Sequence, residues 1–190
     1  AWREEGTLNL IKPGKIARKY NSSGSYVELS PIFETASWLK SHQNWYYQKD
    51  GQLVQSAWIK DSGSWYFMDD KVVMFNKTWL YQAGSWYAFK SSGAMISADW
   101  LYDNGSWYYL KDSGSMATGW LKDGGTWYYL KDSGSMATGW VKDNGSWYYL
   151  KDSGAMATGW IKDNGKWYYL ASSGNMLSNT RTPDGYYVDA

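Results

Sequence analysis

Fourteen of the fifteen tryptophans occur in pairs at one fixed spacing, and paired indole rings can bind particular ligands. The second tryptophan follows the first by seven residues in every pair: Trp38 and Trp45, Trp58 and Trp65, Trp79 and Trp86, Trp100 and Trp107, Trp120 and Trp127, Trp140 and Trp147, Trp160 and Trp167. The negative face of an indole attracts a quaternary ammonium by about 0.5–2 kcal/mol per contact. It can also stack on the C–H face of a sugar ring, although a sugar site would be expected to add Asp, Asn or Gln beside the ring. A trimethylammonium donates no hydrogen bond, so these pairs favour a cage for such a cation.

Other kinds of chemistry find few residues in this chain. There is no Cys, a single His, and a net charge of +1, which excludes thiolate sites and multi-histidine metal clusters. His42 falls in a turn-like segment and is interpreted as a solvated histidine, and most later aspartates are interpreted as turn residues. The Lys–Asp alternation provides no basic groove for nucleic acid, and no apolar run approaches the ~18 residues of a membrane span. We therefore expect no catalysis, no cofactor and no metal.

The tryptophan pairs belong to a twenty-residue repeat. Residues 100–119, 120–139, 140–159 and 160–179 nearly superimpose on the pattern W-[LVI]-x-D-x-G-x-W-Y-Y-L-x-x-S-G-x-M. Residues 1–37 are interpreted as degenerate copies forming an N-terminal cap, residues 38–179 as the repeat array, and residues 180–190 as a terminal capping hairpin of one continuous module. Fixed-period repeats with atypical ends are typical of stacked architectures.

Each repeat predicts a β-hairpin, and the fold class is therefore all-β. Asn104-Gly105 is a dipeptide that favours a two-residue hairpin loop, which fixes the register of the two strands. Side chains alternate along a strand, so the register places three aromatic rings on one face and a mixed set on the other: Trp100, Trp107 and Tyr109 against Leu101, Tyr108 and Leu110. We expect stacking to bury the second set as core, giving a solenoid of hairpins.

Lysines lie on the tryptophan face of three hairpins. The same register places Lys122, Lys142 and Lys162 beside the aromatic rings. They could discourage a bound cation or contact a phosphate attached to it, and the sequence leaves both readings open.

The repeat resembles the choline-binding repeats, or cell-wall-binding repeats, of streptococcal surface proteins and of their phages' lytic enzymes. The resemblance rests on the seven tryptophan pairs and on Thr-Gly-Trp joints ending at Trp120, Trp140 and Trp160. It implies a left-handed solenoid in which choline binds between consecutive hairpins, held by two Trp of one repeat, a Tyr of the next and often a Met. It further implies a secreted protein that attaches to phosphocholine-bearing teichoic and lipoteichoic acids at the bacterial cell wall.

Carried over position by position, the resemblance implies about five choline sites. They are Trp79, Trp86, Tyr109 and Met95; Trp100, Trp107, Tyr129 and Met116; Trp120, Trp127, Tyr149 and Met136; Trp140, Trp147, Tyr169 and Met156; and Trp160, Trp167, Tyr187 and Met176. The second tyrosine of each Tyr-Tyr pair is chosen because it has the same parity as the tryptophans, and the first is the alternative.

Two upstream sets depart from the pattern. Trp38 and Trp45 would meet Phe67 where a tyrosine is expected, and Trp58 and Trp65 would meet Phe89 after a one-residue slip in spacing. Both are interpreted as doubtful sites.

Three other hypotheses accompany choline binding, and the last two are compatible with it. A glucan- or other carbohydrate-binding repeat is the first, although its relatives carry fewer paired tryptophans. A surface adhesin whose irregular first 37 residues bind a host partner is the second. An attached catalytic domain in a longer parent protein is the third. A dimer through the terminal repeats is a further hypothesis.

Overall fold

The computed structural model describes residues 18–20, 26–28 and 36–189, with side chains from residue 36 onward. Every element in this part of the chain is a β-strand, as the repeat predicts. The strands are β1 Arg18–Tyr20, β2 Tyr26–Glu28, β3 Ala36–Ser41, β4 Asn44–Lys49, β5 Gln52–Leu53, β6 Ala57–Asp61, β7 Ser64–Met68, β8 Trp79–Gln82, β9 Ser85–Ala88, β10 Asp99–Asp103, β11 Ser106–Leu110, β12 Gly119–Asp123, β13 Thr126–Leu130, β14 Gly139–Asp143, β15 Ser146–Leu150, β16 Gly159–Asp163, β17 Lys166–Leu170, β18 Thr180–Arg181 and β19 Tyr187–Val188. Successive strands pair into two-stranded sheets, except that β5 joins β3 and β4 in a sheet of three.

The predicted hairpin register is confirmed in the regular repeats. In β10–β11, Trp100 lies opposite Tyr109 and Leu101 lies opposite Tyr108. The turn residues Asn104 and Gly105 both have positive φ, at 46° and 81°, as a two-residue hairpin loop of this type requires. The turn dipeptide therefore decides which side chains share a face.

A short link joins each hairpin to the next and adds backbone hydrogen bonds between repeats. Met136 forms an isolated bridge with Leu130 of its own repeat. Its N–H donates to the carbonyl of Trp107 in the preceding hairpin at 2.8 Å. Met156 and Met176 donate in the same way to Trp127 and Trp147. The links therefore fasten each repeat to the hairpin before it.

The core of the regular repeats consists of the leucines that end each second strand and the small residues of the links. Leu110, Leu130, Leu150 and Leu170 are all 0% exposed, and Ala137 and Ala157 beside them are also fully buried. This face was predicted to serve packing, and its leucines do. Burying a leucine contributes about 1.5–3 kcal/mol, so the row supplies much of the stability that a lone hairpin lacks.

The described residues divide into two compact units. One runs to Trp79 and includes Ala88–Met95, and the other contains Leu80–Tyr87 and the chain from Ile96 onward. In the first unit, larger side chains replace the leucine row: Phe67, Met68, Met74 and Phe89 are buried. The predicted division at residues 37 and 180 stays a prediction.

Part of the predicted N-terminal cap lies outside the described residues. Within it, β1 and β2 pair antiparallel, with Tyr20 opposite Tyr26. At the other end, β18 and β19 form a short final hairpin in which Arg181 lies opposite Tyr187.

Gly134 offers a test of how closely neighbouring repeats pack. A methyl group at Gly134 would overlap the Sδ atom of Met116, whereas one at Gly125 would meet nothing within 4 Å. Both glycines have positive φ, so both alanine variants carry backbone strain of about 1–3 kcal/mol. We expect Gly134→Ala to lose a further 1–3 kcal/mol or so of unfolding free energy through overpacking, measured by urea denaturation. Equal losses for Gly134→Ala and Gly125→Ala would contradict this packing.

Candidate functional site

Each regular pair of hairpins encloses an aromatic corner at the seam between them. At the seam between β12–β13 and β14–β15, Trp120 meets Trp127 edge to face, with ring centroids 6.3 Å apart and planes at 86°. Tyr148 of the following hairpin approaches Trp120 at 4.7 Å, and Tyr129 packs on Trp120 within its own hairpin at 5.1 Å. Four rings therefore surround one concave corner.

The hairpins of the regular repeats stack face to back, which corrects the predicted choice of tyrosine. Trp100 contacts Tyr128 across the seam at 4.9 Å, so the first tyrosine of the pair is the one that the next repeat contributes. Tyr129, the second, packs on Trp120 of its own hairpin. The parity argument placed each second tyrosine one seam too early, because it assumed that rings on the same hairpin face meet. The corresponding assignments of Tyr149 and Tyr169 shift in the same way, to Trp140 and Trp160 of their own hairpins.

An aspartate of the following hairpin fixes the first tryptophan of each corner. The indole Nε1–H of Trp120 donates to Asp143 Oδ2 at 3.2 Å. The same bond recurs at Trp100–Asp123, Trp140–Asp163, Trp160–Asp184 and, in the first unit, Trp38–Asp61. Sequence reasoning had interpreted these aspartates as turn residues only. The offset between tryptophan and aspartate, 23 residues in four of these bonds and 24 in Trp160–Asp184, was the available signal.

The same aspartates act on the tyrosines of the corner. Burial raises the pKa of Tyr129 above 10.0, and the charge of Asp143 and a hydrogen bond from the phenol to it raise that pKa further. The pKa of Tyr109 is also raised, by burial and then by the charge of Asp123. Because both phenols stay neutral, the corner has an anionic carboxylate at its edge and uncharged rings as its walls.

The methionines of the links reach across the seams. The Met116 side chain lies against Gly134 of the next repeat, and Met136 lies against Gly154 in the same way. Met116 therefore crosses the seam at which Trp100 meets Tyr128. The predicted grouping of Met116 with Trp100 in a ligand site stays a prediction.

The terminal seam contains an open cavity of about 1070 Å³. Its lining brings together the predicted set Trp160, Trp167, Tyr187 and Met176, and adds Tyr186 and Asp184. Tyr186 is the ring that meets Trp160 across this seam, at 5.8 Å. Tyr186 is the first tyrosine of its pair, which the sequence analysis gives as the alternative to Tyr187.

The lysines of the tryptophan face cover the second tryptophan of their hairpins. Lys122 Nζ lies 5.7 Å from the Trp127 ring centroid, and Lys142 and Lys162 lie likewise over Trp147 and Trp167. The hairpin register predicted from the sequence places these lysines on the tryptophan face, and the observed strand pairing confirms it.

The two doubtful upstream seams differ from each other. Trp38 meets Trp45 at 6.5 Å and Tyr66 at 4.8 Å, so this corner has the regular geometry. Phe67, its predicted partner, instead packs on Trp58.

At the other doubtful seam, a phenylalanine covers the first tryptophan. Phe89 stacks on Trp58 at 5.7 Å with planes 27° apart, and Phe89 is only 4% exposed. The sequence analysis gives Phe89 as a substitute for tyrosine at this seam, and Phe89 does contact Trp58. Because it lies parallel to the indole, we expect it to fill the space that a ligand would use.

The first of the predicted regular sets draws on both compact units. Trp79 and Met95 belong to one, and Trp86 and Tyr109 to the other. This set stays a prediction.

Two searches of the described residues concern metal ligands and membrane-spanning helices. In residues 36–189, no group of three or more His, Cys, Asp or Glu side chains could hold a metal ion. No helix in the described part of the chain is long and apolar enough to cross a membrane.

Family models match most of the repeat region. A model described as a choline-binding repeat matches residues 102–139 and 137–180, and one described as a putative cell wall binding repeat matches residues 56–71 and 77–95. Comparison with curated proteins gives no match.

Solved structures from Streptococcus pneumoniae share both fold and sequence with the chain. Choline binding protein F is 41% identical, with a TM-score of 0.69, over 82% of this chain and 55% of that protein. CbpJ of strain TIGR4 is 39% identical, with a TM-score of 0.71, over 90% of this chain and 59% of that protein. Choline binding protein F in the presence of a peptidoglycan analogue aligns over 97% of this chain and 71% of that structure, at 35% identity and a TM-score of 0.70. The chain thus spans just over half the length of the first two structures, and the predicted solenoid of β-hairpins is confirmed.

Removing one seam aspartate should destabilise the corner that it helps to fix. Asp143→Ala deletes the acceptor of the Trp120 indole N–H, so we expect the free energy of unfolding to fall by about 1–2 kcal/mol. Asp152→Ala is the control, because Asp152 is an exposed turn carboxylate whose loss should cost less than about 0.5 kcal/mol. Urea denaturation measures both, and similar effects of the two variants would argue against a fixing role for Asp143.

The terminal seam should keep its aspartate contact in mild acid. Hydrogen bonds from Thr182 and Trp160 lower the pKa of Asp184 below 3.8. A lowered pKa gives stability that is present above the ordinary pKa and is lost as pH falls through the lower value. We therefore expect the acid-induced change in the hydrogen-bonded indole N–H resonance of Trp160 to have its midpoint below pH 3.8. A change that is complete above that pH would refute the contact.

Proposed function

Since this chain belongs to the choline-binding repeat family, we propose that it is a binding module that takes one choline head group into each open seam between its hairpins. The corners at Trp38, Trp100, Trp120, Trp140 and Trp160 are the described candidates. The set at Trp79 is a further candidate carried by the repeat pattern alone. Five or six sites are therefore expected, whereas the sequence implies about five.

The observation that carries the proposal is the aromatic corner with a carboxylate at its edge. Two indoles at 86° and a tyrosine across the seam present several π-faces to one point. A trimethylammonium can touch several faces at once, at about 0.5–2 kcal/mol each. The Asp143 carboxylate held on Trp120 adds a negative charge that favours a permanent cation.

The same geometry favours choline over a sugar. A pyranose ring stacks best on one flat aromatic face with polar side chains around its rim. Here the rings meet nearly at right angles. The carboxylate that recurs at the seams already accepts a hydrogen bond from an indole, which leaves it less able to bind sugar hydroxyls.

Repetition suits a ligand that itself repeats. A single small cage binds weakly because few atoms are buried, but several sites on one array can gain about 10²–10⁴ in avidity on a polymer. We propose that this polymer is the phosphocholine-bearing teichoic and lipoteichoic acid of a bacterial cell wall, which would make the protein a secreted, cell-surface one. The solved relatives that support this proposal carry choline binding in their names, and one was studied with a peptidoglycan analogue. We propose binding, without catalysis, as the role of this chain.

One tryptophan substitution should remove one site and leave the others. Trp127 is 40% exposed and forms a wall of the Trp120 corner. We expect Trp127→Ala to lower the choline stoichiometry, measured by isothermal titration calorimetry, by one of the five or six sites. The matched control is Trp65→Ala, since Trp65 is also 40% exposed but its neighbour Trp58 is covered by Phe89.

Three outcomes would count against the proposal. Loss of all sites together in Trp127→Ala would place this residue in the fold rather than in a local cage. Trp65 meets Trp58 with the same two-indole geometry, at 6.4 Å and 88°, so an equal loss in Trp65→Ala would show that cover by Phe89 does not separate closed seams from open ones. Heat on titration with dextran but not with choline would favour a carbohydrate-binding module.

A further inference from the structure

The residue opposite the second tryptophan divides the hairpins into two classes. Lysine occupies this position in five hairpins, where its Nζ lies 5.4–5.8 Å from the indole centroid: Lys40, Lys60, Lys122, Lys142 and Lys162. Tyrosine occupies it in the other two, where Tyr81 meets Trp86 and Tyr102 meets Trp107, both at 5.1 Å. We call these the lysine seams and the tyrosine seams.

The two classes differ in both shape and charge at the corner. In a lysine seam, the second tryptophan turns its ring to the first, as Trp127 does to Trp120 at 6.3 Å. In the tyrosine seam of β10–β11, Trp107 leans instead on Tyr102, and the planes are 49° apart. One corner therefore has an ammonium beside its outer wall, and the other has an exposed, neutral phenol.

A fixed ammonium discriminates between the two forms of a choline ligand. Free choline carries only a positive charge, so a lysine beside the same indole opposes it. Phosphocholine adds a phosphate of about −1.5 to −2 charges near neutral pH, which the lysine attracts. The seam carboxylate occurs in both classes, as Asp143 on Trp120 and Asp123 on Trp100, so it cannot account for a difference between them.

We propose that the residue opposite the second tryptophan sets ligand preference: the lysine seams other than that of Lys60, where Phe89 covers Trp58, select phosphocholine over free choline, and the tyrosine seam of Tyr102 does not. This inference rests on the proposed function and names the form of the ligand that each seam takes. One array thus contains sites that prefer phosphocholine and one site that binds choline and phosphocholine without preference.

Site-resolved titration can measure this preference. The indole N–H resonances of Trp127, Trp147, Trp167 and Trp107 report the individual seams while the full chain is titrated with choline or with phosphocholine. At the lysine seams we expect phosphocholine to bind about two- to fivefold more tightly than choline, because charges near a solvated surface interact this weakly. The ratio should shrink as salt is added. At Trp107 we expect no such preference.

Charge removal and charge transfer supply the controls. Lys122→Gln, Lys142→Gln and Lys162→Gln together should abolish the preference at their three seams. The matched control changes three exposed turn lysines of the regular repeats to Gln: Lys111, Lys131 and Lys151. This control removes the same net charge and should leave the ratio of phosphocholine affinity to choline affinity unchanged. The reciprocal variant Tyr102→Lys should create the preference at Trp107.

The outcomes separate this inference from the function on which it rests. If neither ligand moves any indole resonance, the proposed function fails. If both ligands bind but the Lys→Gln set and its control give the same ratio, only the lysine inference is overturned. A preference for phosphocholine at Trp107 in the unaltered chain would overturn it as well.

Discussion

Contact between one hairpin's first tryptophan and the next hairpin's aspartate and tyrosine is the interaction on which the structure depends. A two-stranded hairpin is marginally stable alone, and each one here exposes apolar side chains on both faces. Stacking face to back buries the leucine row on one side, with Leu130 and Leu150 fully excluded from solvent. On the other side, Trp120 is fixed from beyond the seam by Asp143 and Tyr148.

The same constraint produces the candidate sites. Because Trp120 is fixed at one edge of the seam, Trp127 stands nearly perpendicular to it and remains 40% exposed. A large apolar ring left partly in water is costly for folding alone, and a repeated exposure of this kind indicates a ligand surface. The contrast lies at Trp58, where Phe89 is parallel to the indole and buried. There, packing is completed by the chain itself.

The sequence was enough to predict the features that depend on neighbouring residues within one hairpin. The Asn-Gly turns fix the strand register, so the partner of each residue within a hairpin, such as Tyr109 for Trp100, was predictable. The choice between Tyr128 and Tyr129 was not, because it depends on how one hairpin rotates against the next. That rotation is set by packing across the seam and by the Trp–Asp hydrogen bond, which join residues 23 positions apart. No local pattern in a single repeat encodes it.

A crystal structure of the chain grown with choline would test the central claim most directly. The account predicts a trimethylammonium in the corner enclosed by Trp120, Trp127 and Tyr148, repeated at the equivalent open seams, and no ligand on Trp58. Choline bound away from the seams, or seams that are empty at saturating choline, would contradict it.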